Sequence, residues 1–290
     1  VEGSITGERT VNDTVDLSSG KGHRDENFPV ASFLLSAEHR APIMAFYRFA
    51  RRADDIADHE DATAEEKLAQ LGRMRGGLDG AADGAPEALA LRDAMAERSL
   101  DPVHARDLLV AFERDVTIDR CAGWAALIEY CRYSAMPVGR FVLDVHGEDR
   151  ANWAANDALC AALQIVNHLQ DCGKDYRNIR RVYLPLDTLA EHGARVEDLA
   201  AERATPALRS AIVALAGRTR ELLAKSAPFA GLIRDRKLAA EVAVIQRLAE
   251  SLAMRLEQRD PLSERVHHLK AEAAFLAARA ALPILFRRVA

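Results

Sequence analysis

The chain has 290 residues, 49% of them apolar, and a formal net charge of −5. That length suits one large domain or two small ones with a sizeable core. The 44 acidic against 39 basic residues exclude the basic footprint of a nucleic-acid binder, and 6% aromatics beside abundant Ala, Leu and Arg favour helices over strands.

Residues 1–23 are polar and rich in Gly, Ser and Thr, and are expected to form a disordered tail rather than a signal peptide. Residues 24–290 are expected to form a single domain. Helical periodicity predicts a first strong helix over 41–59. Thr63, with Glu66 three residues on, predicts a capping box opening a second helix that runs to about residue 78. A loop follows at 80–86. Further helices are expected at about 87–98, 102–118, 123–147 and 156–175. Residues 171–185, with Lys174, Arg177, Arg180 and Arg181, read as an irregular basic segment. Helices return at about 205–227, 236–258 and 268–288. No stretch alternates cleanly as a strand, so the fold class expected is all-α. No window is long and apolar enough to cross a bilayer, since the apolar stretch over 273–286 is broken by Arg279. Cys121, Cys131, Cys160 and Cys172 lack metal-ligand spacing and are expected as reduced, mostly buried thiols of a cytoplasmic protein.

The first helix carries Tyr47, Arg51, Asp54, Asp55 and Asp58. Asp54 and Asp58 are one turn apart, so their carboxylates share a face, and Arg51 lies three residues before on the same side. Like charges at that spacing destabilise a bare helix by a few tenths of a kcal/mol, about 0.2–0.5. A divalent cation would reverse that cost. The pattern recurs far along the chain, where Gln164, Asn167, Asp171 and Asp175 form one helical stripe. One Asp-x-x-x-Asp alone is usually a solvated face, and Gln164 and Asn167 alone are usually satisfied core polars. The conjunction of two such pairs in a helical chain points to chemistry. Mg²⁺ prefers oxygen ligands and is commonly held by one or two carboxylates plus substrate phosphates. Two facing pairs are expected to hold two or three Mg²⁺ ions around one diphosphate, with nearby Arg and Lys neutralising the leaving group. The reaction is then carbon–oxygen ionisation in a dry apolar cavity.

These segments resemble the squalene/phytoene synthase family. Its first motif, aromatic-x-x-x-Arg-x-x-Asp-Asp-x-x-Asp, is matched by Tyr47, Arg51, Asp54, Asp55 and Asp58. Its second, Gln-x-x-Asn-x-x-x-Asp-x-x-x-Asp, is matched by Gln164, Asn167, Asp171 and Asp175. The Arg-x-Tyr-Leu-Pro piece falls on Arg181, Tyr183, Leu184 and Pro185, and Tyr130 matches the tyrosine of the middle helix. The resemblance covers roughly residues 24–260. It implies an isoprenoid synthase helical bundle with a central cavity, Mg²⁺ on Asp54, Asp58, Asp171 and Asp175, and a prenyl diphosphate substrate. It also implies catalytic roles for Tyr47, Arg51, Tyr130 and Tyr183, and substrate contacts from Phe28, Gln164, Asn167, Lys174 and Arg181.

Two segments depart from the usual family pattern. Before the first helix, a Ser/Lys/Ser-Phe stretch is replaced by Gly22-His23-Arg24-Asp25-Glu26-Asn27-Phe28, which keeps the Phe and loses the hydroxyls. On the middle helix, Ala-Gly-Thr-Val-Gly is replaced by Ala135-Met136-Pro137-Val138-Gly139. Together they resemble the bacterial hopanoid-pathway branch of the family. That branch ionises presqualene diphosphate, rearranges the cation and lets water capture it as hydroxysqualene, with no NADPH consumed. Sister enzymes of the squalene route would supply the substrate and later remove the hydroxyl. The alternatives are condensation of two prenyl diphosphates to presqualene diphosphate, squalene or phytoene, or a silent helical assembly factor. The last is disfavoured because all four motif aspartates are retained.

Pro137 is expected inside a long helix, where it frees the carbonyl of Tyr133. The plain reading is a kink; the sharper one turns that carbonyl toward the cavity. Tyr183 is expected to face the cation with its ring or to anchor a flap. A peripheral membrane contact through the C-terminal helix, with Leu282, Ile284, Leu285 and Phe286 ahead of Arg287 and Arg288, competes with the simpler reading that this helix closes the bundle.

Overall fold

The computed structural model describes residues 36–286. The polar tail, Phe28 with its flanking segment, and Arg287 and Arg288 lie outside the described residues. Among those described, the elements are helices and turns, with a lone parallel β-bridge between Arg120 and Val182. The first half comprises α1 (Ala37–Asp58), α2 (Ala64–Leu78), α3 (Pro86–Ala96), α4 (Val103–Thr117), α5 (Trp124–Ser134) and α6 (Met136–Val145). The second comprises α7 (Trp153–Ile179), α8 (Leu186–Glu191), α9 (Pro206–Ser226), α10 (Phe229–Leu232), α11 (Arg236–Gln258) and α12 (Lys270–Leu285).

Local chemistry sets many of the starts. The capping box forms as expected: the Thr63 Oγ1 accepts from the Glu66 N–H at 3.3 Å, and the Thr63 N–H donates to the Glu66 carboxylate at 2.8 Å. Thr205 caps α9 ahead of Pro206, and Asp235 caps α11 by accepting from two backbone N–H groups. The apolar side of α1 buries Phe46, Phe49, Ala53 and Ile56 in the main core. Burial of each large side chain there contributes about 1.5–3 kcal/mol. The stripe Tyr47, Arg51, Asp54, Asp58 runs beside that side, so the polar motif sits at the edge of the core, with the Asp54 and Asp58 side chains 39% and 43% exposed. On α7, 27 residues or about 40 Å long, Ile165, Val166, Leu169 and Cys172 are buried and fix the opposing polar stripe.

Two expectations are corrected. The segment after Asp171 is not irregular: α7 continues to Ile179, because Cys172, Gly173 and Tyr176 continue its buried face. It stops at Arg180, which adopts a left-handed conformation (φ 58°). The following strand-like piece is pinned by Val182 N–H donating to the Asp119 carbonyl (2.9 Å) and Cys121 N–H to the Val182 carbonyl (3.2 Å).

The second correction concerns residues 123–147, which are two helices rather than one. Ala135 (φ −127°, ψ −46°) breaks the run, and Pro137 sits in the first turn of α6, where its missing N–H is harmless. Pro137 is buried, and neither it nor Tyr133 lines the apolar cavity; Val138 and Gly139 do. The reading of a freed Tyr133 carbonyl turned to the cavity is therefore withdrawn.

All four cysteines are free thiols, as expected. At the other end, α12 packs on α11 through Ala240, Val244, Leu248 and Ala281, closing the bundle. Its outer side leaves Phe275, Leu282 and Phe286 exposed. No helix among the described residues is long and apolar enough to cross a membrane.

Candidate active site

α1 and α7 bring their aspartates to one mouth. Asp58 raises the pKa of Asp175, so the two carboxylates lie within electrostatic reach of each other across the two helices. Asp175 is pushed up to about 7, first by burial, then by Asp171 and Asp58. Asp54 is also pushed to about 7, by burial and then by Asp58, against the pull of Arg51. Arg51 lies between two acids, at 3.0 Å from Asp54 and 2.8 Å from Asp55. No three carboxylates of the quartet come together closely enough to chelate one ion unaided. An ion there would take one or two of them and complete its shell with phosphate and water, as Mg²⁺ does. The all-oxygen donor set and the strained acidity both fit a hard dication.

Arg181 and Tyr183 enter from the pinned segment after α7. Residues two apart in extended chain point to one side, so both reach the mouth. The Arg181 guanidinium is largely buried. It donates to Asp58 Oδ1 at 2.6 Å, to the Tyr183 hydroxyl at 3.1 Å and to the Asp115 carbonyl at 3.0 Å. Tyr183 donates to Asp115 Oδ1 at 3.3 Å and Tyr130 to Asp115 Oδ2 at 2.7 Å. His168 stacks on the Tyr183 ring with centroids 3.6 Å apart. Burial, with Arg181 adding, holds His168 down at about 3, so its imidazole is neutral at physiological pH.

Below this mouth opens an apolar cavity of about 360 Å³. Tyr47, Arg51, Asp54 and Glu241 are among its polar lining residues. Phe46, Phe112, Leu159 and Ile245 are among its apolar walls. It lies within the size range of small-molecule sites. Gly139 lets the wall close: a Cβ there would stand 2.0 Å from Asn156 Oδ1.

Of the residues singled out in the sequence, Tyr47, Arg51, Asp54, Asp58, Asp175, Arg181, Tyr183 and Tyr130 converge at the mouth and rim. Asp171, a turn from Asp175, joins them through its charge. Gln164 and Asn167 are half-buried higher on the same stripe, where Leu163 rather than either of them forms the cavity wall. Lys174 is exposed and acts on Asp175 through its charge alone. Phe28 lies outside the described residues.

Two groups escaped the sequence reading. Asp115 of α4, pushed up to about 6 by burial, holds both tyrosines and adjoins Arg181. Lys67 of α2 donates to the Ala57 carbonyl at 3.1 Å and is held below its ordinary pKa by burial and by Arg181. Neither belongs to a spaced motif, so no local signal marked them.

Residues 22–272 match the Squalene/phytoene synthase family profile. A hydroxysqualene synthase of Zymomonas mobilis is 55% identical over 93% of this chain and 92% of its own length. A hydroxysqualene synthase of Rhodopseudomonas palustris is 56% identical over 87% of this chain and 86% of its own. Among solved structures, a squalene synthase from Alicyclobacillus acidocaldarius superposes with a TM-score of 0.68 at 28% identity, covering 79% of this chain and 87% of its own. A dehydrosqualene synthase shares the fold alone, with a TM-score of 0.74 at 21% identity over 90% of this chain and 92% of its own. Such enzymes process prenyl diphosphates and generally use a divalent metal. In motif, fold and similarity along most of its length, the chain belongs to the squalene/phytoene synthase family.

Proposed function

We propose that this chain is a Mg²⁺-dependent hydroxysqualene synthase, converting presqualene diphosphate and water to hydroxysqualene and diphosphate. The observation that supports the reading is two aspartate motifs within electrostatic reach of each other, the first of which puts Asp54 on the lining of an apolar cavity, in a chain 55% identical to a hydroxysqualene synthase over 93% of its length.

When bound, two or three Mg²⁺ ions would supply charge to the leaving diphosphate; Asp54, Asp58, Asp171 and Asp175 would hold them. Arg51 and Arg181 add fixed positive charge where the leaving group develops its own. Arg181 is preorganised for this by Asp58, Asp115 and Tyr183. Lys174, exposed beside Asp175, adds a counter-charge there. The Tyr130, Tyr183 and His168 rings form an aromatic floor beside the mouth, with centroids 3.6 to 5.9 Å apart. A neutral His168 keeps that floor from repelling a passing carbocation, which aromatic faces attract. Tyr47 lines the cavity between rim and wall, and Gln164, Asn167 and Phe28 are assigned substrate contacts by family resemblance. The apolar walls keep bulk water from the cation until one water adds, the carbon–oxygen bond forms and a proton is lost to solvent or diphosphate.

The single helical domain of residues 24–290 and the polar tail before it belong to the same reading. So does a peripheral membrane contact for so greasy a substrate, with Phe275, Leu282 and Phe286 on the outer side of α12 as its surface.

The test is product analysis with Mg²⁺ and no NADPH. Presqualene diphosphate should yield hydroxysqualene, and farnesyl diphosphate alone should yield nothing. A thirty-carbon product from farnesyl diphosphate alone would replace this reading with a condensing activity.

A further inference from the structure

At the opposite end of α1 from the aspartates, three unrelated stretches of chain converge. His39 lies in the first turn of α1, His146 caps the C-terminus of α6 and Asp235 caps the N-terminus of α11. One donor atom from each lies within 4.8 Å of the other two, and no other such trio occurs among the described residues. The two imidazole centroids are 4.0 Å apart. Fifteen residues of helix separate His39 from Asp54, about 22 Å of rise, so this cluster is remote from the diphosphate mouth.

Each side chain is prepared as a ligand. His146 gives its Nδ1 proton to the Val142 carbonyl at 2.9 Å, which leaves the Nε2 lone pair outward. A backbone carbonyl on the far nitrogen is the usual way a metal-binding imidazole is oriented. Burial lowers the pKa of His146, so it is neutral at physiological pH. The Nε2 of His39 points to Glu38 at 3.5 Å, while its Nδ1 is buried and accepts or donates no hydrogen bond. Asp235 Oδ1 accepts from the Lys237 and Leu238 N–H groups at 2.8 and 3.1 Å, which leaves Oδ2 available. Glu148, almost fully buried, accepts from the N–H groups of Arg234 and Asp235 and locks the loop that presents Asp235. Their donor atoms lie within 4.8 Å of one another with no hydrogen bond joining the three side chains.

We propose that His39, His146 and Asp235 form a zinc site that staples the starts of α1 and α11 to the end of α6. Two imidazoles and a carboxylate suit Zn²⁺ with a water in the fourth position. The same donors discriminate against Mg²⁺, which takes oxygen ligands. The chain would then hold two cation sites of different hardness, one at each end of α1. All three residues are half-buried, which leaves an entry path. The donor atoms, within 4.8 Å of one another, need close by at most about 1.4 Å, since ligands at about 2.0–2.2 Å from a tetrahedral ion sit some 3.4 Å apart.

The test uses the full chain, stripped with chelator and then held in excess Mg²⁺ so that the aspartate mouth is occupied. Zn²⁺ titrated by calorimetry should bind one per chain, and zinc should raise the melting midpoint. Co²⁺ in its place should give the intense visible bands of a four-coordinate nitrogen-oxygen site. His146→Gln and Asp235→Asn should each weaken zinc by more than the 10–100-fold that outer-shell losses cost (about 100-fold or beyond), whereas Asp175→Asn should leave it unchanged. Absence of tight zinc and of the cobalt bands in the unsubstituted chain would overturn the proposal, with no dependence on whether a variant folds. Equal zinc affinity in the unsubstituted chain and His146→Gln would overturn it as well.

Discussion

The two aspartate motifs share one spacing and meet at one mouth, yet their surroundings differ. On α1, each acid has a guanidinium: Arg51 serves Asp54 and Asp55, and Arg181 serves Asp58. On α7, Asp171 and Asp175 make no ion pair among the described residues, and the nearest cation on their own helix, Lys174, is exposed. Even so, Asp54 and Asp175 are both pushed up to about 7. One arginine shared by two acids does not offset burial and a like charge one turn away. The lesson is that fixed protein cations orient the first motif without satisfying it, whereas the second depends on whatever cation arrives.

The largest expected effect comes from removing a carboxylate on the unpaired side. Asp175→Asn should lower turnover of presqualene diphosphate by about 10³-fold, in line with losing one preorganised element of leaving-group stabilisation. Asp54→Asn should cost a similar factor, and because Arg51 is then freed for Asp55, it should disturb the fold less. Diphosphate release measured beside melting curves checks both, and a modest effect from Asp175→Asn alone would break the equivalence of the two motifs.

Next in size is Arg181→Lys. The ammonium keeps the charge but cannot span Asp58, Tyr183 and the Asp115 carbonyl together. A loss of about 10²-fold in kcat/KM is expected, with a smaller change in the Mg²⁺ requirement than Asp175→Asn produces.

Proton competition sharpens the comparison further. Metal ligation requires ionised carboxylates. With folded pKa values near 7, the Mg²⁺ needed for half-maximal rate should rise as pH falls below 7, by up to about tenfold per pH unit for each carboxylate. The stability linkage runs the other way. The folded-state pKa of Asp175 is raised from 3.8 to about 7, so the folded chain binds more protons than the unfolded one across that window. Its contribution to stability is therefore fully present below 3.8 and is lost as pH rises to about 7. Without metal, Asp175→Asn should melt a few degrees above the unsubstituted chain at pH 8, about 2–4 °C for a kcal/mol. The gap should close toward pH 4. Saturating Mg²⁺ should reverse the order at pH 8.

The smallest effect should come from Tyr183→Phe. It removes the hydroxyl between Arg181 and Asp115 but keeps the ring stacked on His168. The lost hydrogen bonds should cost about 1 kcal/mol, read as roughly a fivefold drop in kcat/KM with products unchanged. A large shift toward other products would instead give the hydroxyl a direct part in steering the cation.

Much of this was legible without coordinates because it is local. A capping box, a proline that opens a helix and acids one turn apart depend on residues three or four positions away, so Thr63 with Glu66 and Asp54 with Asp58 announce themselves. The break at Ala135 was harder, since the helical period runs through residues 123–147 and only the packing of Met136, Pro137 and Phe141 decides where the turn is lost. The run of α7 past Asp175 was hidden by its basic surface, while Cys172, Gly173 and Tyr176 kept it buried.

By itself, then, the sequence determined the helical class, the two acidic stripes and the kind of chemistry they carry, because side-chain spacing along a helix translates directly into a shared face. Only the tertiary structure decided that Asp58 comes within electrostatic reach of Asp175, that Asp115 and Lys67 lie near Arg181, and that His39, His146 and Asp235 stand together. Those meetings join residues far apart in the chain, and they are set by how the apolar faces of separate helices pack, which no local spacing encodes.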